Sequence, residues 1–359
     1  MRSVLVTGGA GFIGSHFAAR TLATESVSRL VVYDLLTYAG NRNNLASIWS
    51  DPRFVFKQGD ICDGESLGRV FSEYGIDTVV NFAAESHVDR SNREPSTFVR
   101  SNVLGVSILL DVAEDAWSRS GEVSSSCRFH QVSTDEVYGP AGKDEAPAVE
   151  TSALRPSSPY AASKAGADLL VLAHRQKSGM NLSISRSSNT FGRFQHPEKL
   201  IPHVVSAAVS GKPIPVYGSG ENFRTWMHVD DHCRAIQLIL DRRTDNNVFN
   251  VKGREELQNI KLVRLVCELV DNAFAAESRY RKIYPDAPAA AGGRSSCLVS
   301  FVDDRPAHDF RYAMDTALAK DCLGFATLTD FRAALLDSVI WQMDNPEWWP
   351  QDKIPQATD

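Results

Sequence analysis

Three sets of residues in this chain could do chemistry. Tyr160 and Lys164 stand four positions apart in a stretch with helical periodicity, so they share one helix face a turn apart. A phenol titrates near ~10 and is a poor base alone. A nearby ammonium favours the phenolate, so this spacing predicts a tyrosine able to take a proton from a hydroxyl near neutral pH. Second, Ser133-Thr134-Asp135-Glu136 follows an apolar run and supplies a hydroxyl and two adjacent carboxylates. A paired acid and base beside a hydride acceptor suits elimination as well as oxidation. Third, Gly8, Gly11 and Gly14 follow Val4-Leu5-Val6 and open a helical pattern. Such glycines let the chain turn tightly, approach a pyrophosphate and pack a helix against a strand. Asp34 closes the next apolar run, where a carboxylate hydrogen-bonds adenosine ribose hydroxyls and repels a 2′-phosphate, which favours NAD over NADP. Asp60 and Ile61, at the end of the third run, read as a cap on the adenine.

These residues need a frame. Short apolar runs at 4–6, 30–33, 54–56, 78–82 and 128–133 read as strands, and 12–23, 63–74 and 97–118 read as helices. Near-continuous apolar strands alternating with helices predict a parallel sheet covered on both faces. Ligands lie beyond the carboxyl ends of such strands, so Thr134, Asp135 and Glu136 should border the cofactor crevice. Further along, helices are expected at 160–177, 231–242, 260–274 and 328–343, and a strand at 182–185. The segment 284–297, with two prolines, four alanines and two glycines, reads as a flexible loop. The fold class is α/β: a Rossmann-like doubly wound parallel sheet with a smaller, interleaved C-terminal substrate-binding domain. Residues 1–186 form the first domain, with 226–250 returning to it, while 187–225 and 251–349 form the second and 350–359 a tail.

Composition narrows the function. The 359 residues carry 38 basic and 44 acidic side chains, a net charge of −6. That balance argues against coating nucleic acid or an anionic membrane. Six scattered cysteines without a CxxC pair suit reduced thiols. The start reaches its glycines too soon for a secretory signal, and no apolar run approaches the roughly 18 residues of a membrane span. A cytoplasmic enzyme is expected. His228 and His232 have helical i, i+4 spacing, but without an HExxH glutamate no metal is expected; Asp230 or Asp231 is read as capping the next helix. Trp341, Trp348 and Trp349 are read as packing residues.

Longer motifs make the assignment specific. They are TGGAGFIGS at 7–15, LTYAGN at 36–41, GDICD at 59–63, NFAAESHVDRS at 81–91, VSTDEVYG at 132–139 and SSPYAASKAGAD at 157–168. HPEKLIP at 196–202, PVYGSGENFRTW at 215–226 and DDRPAHDFRYAMD at 303–315 follow. With these the chain resembles the extended short-chain dehydrogenase/reductases, and among them the dTDP-glucose 4,6-dehydratases. The acid pair of TDE separates these from sugar 4-epimerases.

The resemblance implies a mechanism. Tyr160 deprotonates the C4 hydroxyl as hydride leaves C4, Lys164 holds Tyr160 and the nicotinamide ribose, and Thr134 binds the C4 oxygen. Glu136 then removes the C5 proton, Asp135 protonates the departing C6 hydroxyl, and the hydride returns to C6. It further implies NAD contacts from Phe12, Ile13, Thr37, Ala83, Ala84, Ser86 and Asn102. For the nucleotide sugar it implies Asn189, Arg224, Asn259, Arg305 and His308, and a base pocket of Glu198, Lys199, Leu200, Pro215, Val216 and Tyr217; His87, beside Ser86, is read as facing the sugar or cofactor, with packing as the alternative. It also implies a homodimer through the helix at 97–118 and the Tyr160 helix. The chain departs from the pattern at Leu35, where a lysine is usual, at Thr225, where an aspartate is usual, and in a longer 284–297 segment. A UDP-sugar dehydratase and a non-catalytic NAD-binding protein are the alternatives.

Overall fold

The computed structural model describes residues 2–119, 122–142, 145–242, 247–304 and 308–349. The chain divides into two units. The first takes residues up to 188 with 230–252 and 312–326; the second takes 189–229, 253–311 and the residues from 327 on.

The first unit is built on strands β1 (Arg2–Thr7), β2 (Val27–Asp34), β3 (Phe54–Gln58) and β4 (Thr78–Asn81), followed by Arg128–Thr134, Leu182–Ser187 and Val248–Val251. All seven pair in parallel, in the order Val248–Val251, Leu182–Ser187, Arg128–Thr134, β4, β1, β2, β3. Leu5, Val31, Val79 and Phe129 are fully buried, as expected of strands covered on both faces. Strand order reverses at β1, with β2 on one side and β4 on the other, so the crevice for a ligand opens beyond the carboxyl ends there. The sequence reading did not identify Val248–Val251 as a strand. It is four residues long and pairs with Leu182–Ser187, a partner distant in the chain.

Helix ends follow local chemistry. Asp63 accepts the N–H of Ser66 to start the helix Gly64–Tyr74, and Ser158 accepts that of Ala161 to start Pro159–Ser178. Gly179, at φ 69°, ends the latter. The helix expected at 97–118 runs over Pro95–Trp117, with a π-helical stretch at Val99–Leu104. By length and composition alone it could cross a membrane, contrary to the sequence reading. Its Val106, Leu109, Leu110 and Ala113 instead pack in the first unit's core.

Three expectations change. Residues 312–326, expected in the second domain, belong to the first unit. The N–H of Asp315 bonds to Ala148 O at 2.9 Å and Lys252 Nζ bonds to Met314 O at 2.6 Å. The segment 284–297 is not a loose loop. It holds 3-10 turns at Pro288–Ala291 and Ser295–Leu298 and buries Tyr284, Ala287, Ala289 and Ser295. Small alanines pack closely, and Ser295 Oγ donates to Asp271 at 2.6 Å. The helix expected at 231–242 begins at Val229, so Asp230 and Asp231 occupy its first turn instead of capping it.

The second unit has its own core around the helices Leu200–Val209, Asn259–Ala276 and Phe331–Asp344. Trp349 is buried within it, and Trp341 and Trp348 pack edge-on at 5.4 Å. Its strands form a sheet of Glu255–Gln258, Phe223–His228 and Asn189–Phe191, and a parallel pair of Ile214–Tyr217 with Val299–Val302.

Candidate active site

The glycine turn joins β1 to the helix α1 (Phe12–Leu22). Gly8 has φ 64°, and a Cβ there would stand 2.6 Å from Ala83 N. A Cβ at Gly14 would stand 2.5 Å from Gly8 O. Only glycine lets strand, turn and helix close up this tightly. Gly11 caps α1 without a side-chain hydrogen bond, so the first-turn N–H groups near Phe12 and Ile13 are available to an anion. Asp34 accepts the N–H groups of Ala10 at 2.9 Å and Leu36 at 2.8 Å. Burial raises its carboxyl above the usual range, against the pull of those bonds. Each oxygen keeps acceptor capacity for a ribose hydroxyl. This cradle and the carboxylate fit a dinucleotide. Leu35 and Thr37 are exposed just beyond Asp34.

Asp60 is less available than the sequence suggested. Its carboxylate accepts the N–H of Cys62 at 2.9 Å and Arg100 at 2.7 Å. Burial works against its charge, but those two partners hold it below the usual range. Ile61 is buried beside it. Beyond β4, Ala84 is exposed and Ser86 half-buried, while His87 caps the helix Val88–Arg93 by accepting the N–H of Arg90 at 3.2 Å. Asn102, expected to touch the cofactor, is buried and already committed. It accepts from Glu85 N at 2.8 Å and donates to Glu85 O at 3.0 Å and Ser163 Oγ at 2.8 Å. It sits in the π-helical stretch and ties the β4 loop to the Tyr160 helix.

Thr134 ends its strand and caps the 3-10 turn Asp135–Tyr138, accepting the N–H of Glu136 at 3.3 Å; its Oγ lies 3.3 Å from Asp135 Oδ1. The three residues gather about Tyr160. Burial raises its phenol well above the ordinary value, the charges of Glu136 and Asp135 raise it further, and a hydrogen bond with Thr134 opposes them. Phe98 closes one side, edge-on at 6.4 Å. The expected lowering by Lys164 is not present in this arrangement. Lys164 Nζ donates to Val132 O at 2.7 Å, and the residue is buried. Burial lowers its ammonium to about 8, with Asp168 opposing.

Beneath Lys164 lies a network to which the sequence reading gave no role. Arg186 Nε donates to Asp168 Oδ2 at 2.9 Å, and Arg186 Nη1 donates to Tyr138 Oη at 2.8 Å. Tyr138 donates to Asn250 Oδ1 at 2.7 Å. Asp168 falls four residues after Lys164 and closes the motif at 157–168, but nothing in the sequence gave it a role. Arg90 over the Tyr38 ring at 4.4 Å was also unread.

The remaining residues lie in the second unit. Arg224, read as a phosphate ligand, is buried and donates to the carbonyls of Phe223 at 2.6 Å and Asp309 at 3.0 Å. Thr225 is buried beside it. His308 Nδ1 meets Asp304 Oδ1 at 2.6 Å, and its ring stands edge-on to Tyr217 at 6.3 Å. Asp304, unread in the sequence, thus orients His308. Tyr217 is exposed at the end of the strand that also carries Pro215 and Val216. Glu198 lies 3.7 Å from both His196 and Lys199, at the start of the helix that Leu200 opens. Asn189 begins its strand, and Asn259 opens its helix with a buried Oδ1 that has no hydrogen-bond partner. Arg305 lies outside the described residues.

Of the two histidines at metal-like spacing, His228 packs edge-on to Phe191 at 5.4 Å and His232 is buried near His130. Among the described residues one other group, Asp111, Glu114 and His174, brings its ligand atoms within 4.8 Å. Glu114 there is engaged by His174 at 2.8 Å and Lys177 at 3.7 Å.

Comparison with known proteins bears on this geometry. The family model described as GDP-mannose 4,6 dehydratase matches residues 5–337. A dTDP-glucose 4,6-dehydratase of Neisseria meningitidis serogroup B is 41% identical over 350 residues, covering 97% of this chain and 95% of that protein. The dTDP-glucose 4,6-dehydratase 1 of Escherichia coli K12 is 38% identical, covering 96% and 94%. Among solved structures, DesIV of Streptomyces venezuelae, a dTDP-glucose 4,6-dehydratase with NAD and TYD bound, matches with TM-score 0.84 and 40% identity, covering 98% of this chain and all of that one. A UDP-glucose 4-epimerase of Thermotoga maritima matches with TM-score 0.79 at 25% identity, covering 96% and 99%.

Proposed function

The chain belongs to the GDP-mannose 4,6-dehydratase family, and from that premise we propose that it is an NAD-dependent dTDP-glucose 4,6-dehydratase. The observation that carries this reading is the gathering of Thr134, Asp135 and Glu136 about the Tyr160 phenol. That acid pair gives the site a base for C5 and an acid for the C6 hydroxyl, in addition to the base for C4. An epimerase has no use for such a pair.

NAD, when bound, would supply the hydride acceptor for oxidation at C4 and the hydride donor for reduction at C6. Gly8, Gly11 and Gly14, with the first turn of α1, would receive its pyrophosphate, and Asp34 would receive the adenosine ribose. Thr134 holds the sugar's C4 oxygen. Tyr160 takes the C4 hydroxyl proton. Burial and the two neighbouring carboxylates hold its phenol above the ordinary value, and the hydrogen bond with Thr134 opposes them. Lys164 orients the ribose hydroxyls beside it. Glu136 takes the C5 proton of the 4-ketone, and Asp135 supplies a proton to the leaving C6 oxygen. Of the second unit's residues, Tyr217 offers an exposed ring for the base, and His308, whose Nδ1 is engaged by Asp304, offers the diphosphate a donor at Nε2 in its imidazolium form. Arg224 supports the neighbouring backbone through its bonds to carbonyls.

Val99 and Leu104 on Pro95–Trp117 and Leu169 on Pro159–Ser178 are exposed apolar residues, which supports a homodimer formed through these two helices. The six free cysteines support a cytoplasmic setting.

Purified protein supplied with dTDP-glucose and NAD should yield the 4-keto-6-deoxy sugar nucleotide with no added reductant. Absence of turnover with dTDP-, UDP- and CDP-glucose defeats the reading. Faster turnover of UDP-glucose than of dTDP-glucose under one condition moves it to a UDP-sugar dehydratase.

A further inference from the structure

The first unit buries three charges side by side. Asp168 is 0% exposed, Arg186 2% and Lys164 5%. Charges this far from water persist only with partners. Arg186 has close partners: Nε donates to Asp168 Oδ2 at 2.9 Å, and Nη1 donates to Tyr138 Oη at 2.8 Å and Glu150 O at 3.2 Å. Its guanidinium also lies 4.9 Å from the centre of the Tyr138 ring. Among the described residues no carboxylate lies in salt-bridge contact with Lys164, whose Nζ donates to Val132 O at 2.7 Å. The Asp168 carboxylate lies one turn along the same helix, and its second oxygen, Oδ1, is buried without a hydrogen-bond partner.

We propose that Asp168, fixed by Arg186, is a positioning residue that keeps Lys164 in its ammonium form inside the core. It acts through Lys164 and touches no reacting atom. With Asp168 ionised, Lys164 has a buried counter-charge one turn away; without it, whether Arg186 remains or not, Lys164 is a buried ammonium that has lost that counter-charge and is the group able to give up its proton. The other titratable groups about this cluster are Tyr160 on the same helix, which faces Asp135 and Glu136, and Tyr138, which faces Arg186 and Glu150. Burial already lowers the Lys164 ammonium to about 8, and the nearby Asp168 charge limits the fall. The arrangement would therefore set the alkaline limit of a reaction that needs a charged Lys164.

This inference rests on the dehydratase reading of the same site. Its test is the pH profile of kcat with dTDP-glucose and saturating NAD, for the parent, Asp168→Asn, Asp168→Glu and the double variant Asp168→Asn/Arg186→Met. The double variant removes both members of the pair and keeps the test sound if Asp168→Asn alone fails to fold. The alkaline midpoint should move down by about one pH unit or more in Asp168→Asn and in the double variant, and return toward the parent in Asp168→Glu. A double variant with lowered kcat but the parent's alkaline midpoint overturns the inference and leaves Asp168 a packing residue. A parent without turnover defeats the dehydratase reading instead. The inference is then read from the pH dependence of NAD binding to the same proteins, where an unmoved midpoint again overturns it.

Discussion

At the scale of single residues, the carboxylate pair and the tyrosine divide the proposed reaction into steps that can be broken separately. Glu136→Gln keeps the size of the side chain and removes the base. It should lower turnover by about 10²–10⁴-fold and abolish deuterium uptake at C5 from heavy water, read by mass spectrometry. Wild-type uptake in that variant would assign the base elsewhere. Tyr160→Phe should lower turnover by a similar factor of about 10²–10⁴ while NAD still co-purifies, because the hydroxyl is lost and the ring's packing against Phe98 is kept. Both residue types and their order were readable in the chain. What could not be read was the setting. YxxxK spacing suggests that Lys164 lowers the phenol, but the folded protein sends the ammonium to Val132 O and leaves Tyr160 facing two carboxylates. Arg224 is a similar case: an arginine in a substrate motif reads as an anion ligand, and the fold engages it with backbone carbonyls.

At the scale of elements, the glycine turn is the most exacting feature. Gly14→Ala would drive a Cβ to 2.5 Å from Gly8 O, so α1 must move away from the turn. That variant should lose NAD on desalting and melt at a lower temperature, whereas Gly68→Ala, where a Cβ meets nothing within 4 Å, should do neither. Equal NAD retention in the two would mean the turn does not hold the cofactor. The π-helical stretch at Val99–Leu104 belongs to this scale as well. It places Asn102 where its amide brackets Glu85 and Ser163, linking the loop beyond β4 to the Tyr160 helix. A polar residue in an apolar helix is a visible sign, but a π turn depends on backbone bonding that residue order does not declare.

For the whole molecule, two buried histidines couple stability to pH. Burial lowers His130 to about 3, helped by nearby His232, and lowers His232 to about 4. Both are neutral in the folded chain, while the unfolded chain takes up protons near ~6.5. Their contribution is therefore whole above that value and declines as pH falls toward 4 and then 3. The urea midpoint should drop steadily between pH 7 and 4.5, and His130→Gln should flatten part of that slope. An identical slope in the variant would move the effect to the carboxylates. Assembly is the second property at this scale. Leu104→Glu with Leu169→Glu should give a monomeric mass in sedimentation; a parent already monomeric would remove the proposed dimer.

Residue order already declares the parallel α/β frame, the glycine turn with Asp34, the identities of Thr134, Asp135, Glu136, Tyr160 and Lys164, and the family. Each of these depends on local patterning, such as apolar strands, a turn only glycine can make, or a helix that brings i and i+4 together. Tertiary structure alone decided where burial and distant partners act. It brought Arg186 from one strand to Asp168 on a helix, returned 312–326 to the first unit, and packed 284–297 as an ordered part of the second unit's core. Those outcomes depend on which surfaces meet after the chain has crossed back on itself. They also depend on how far water is excluded there, and neither is encoded at any fixed spacing.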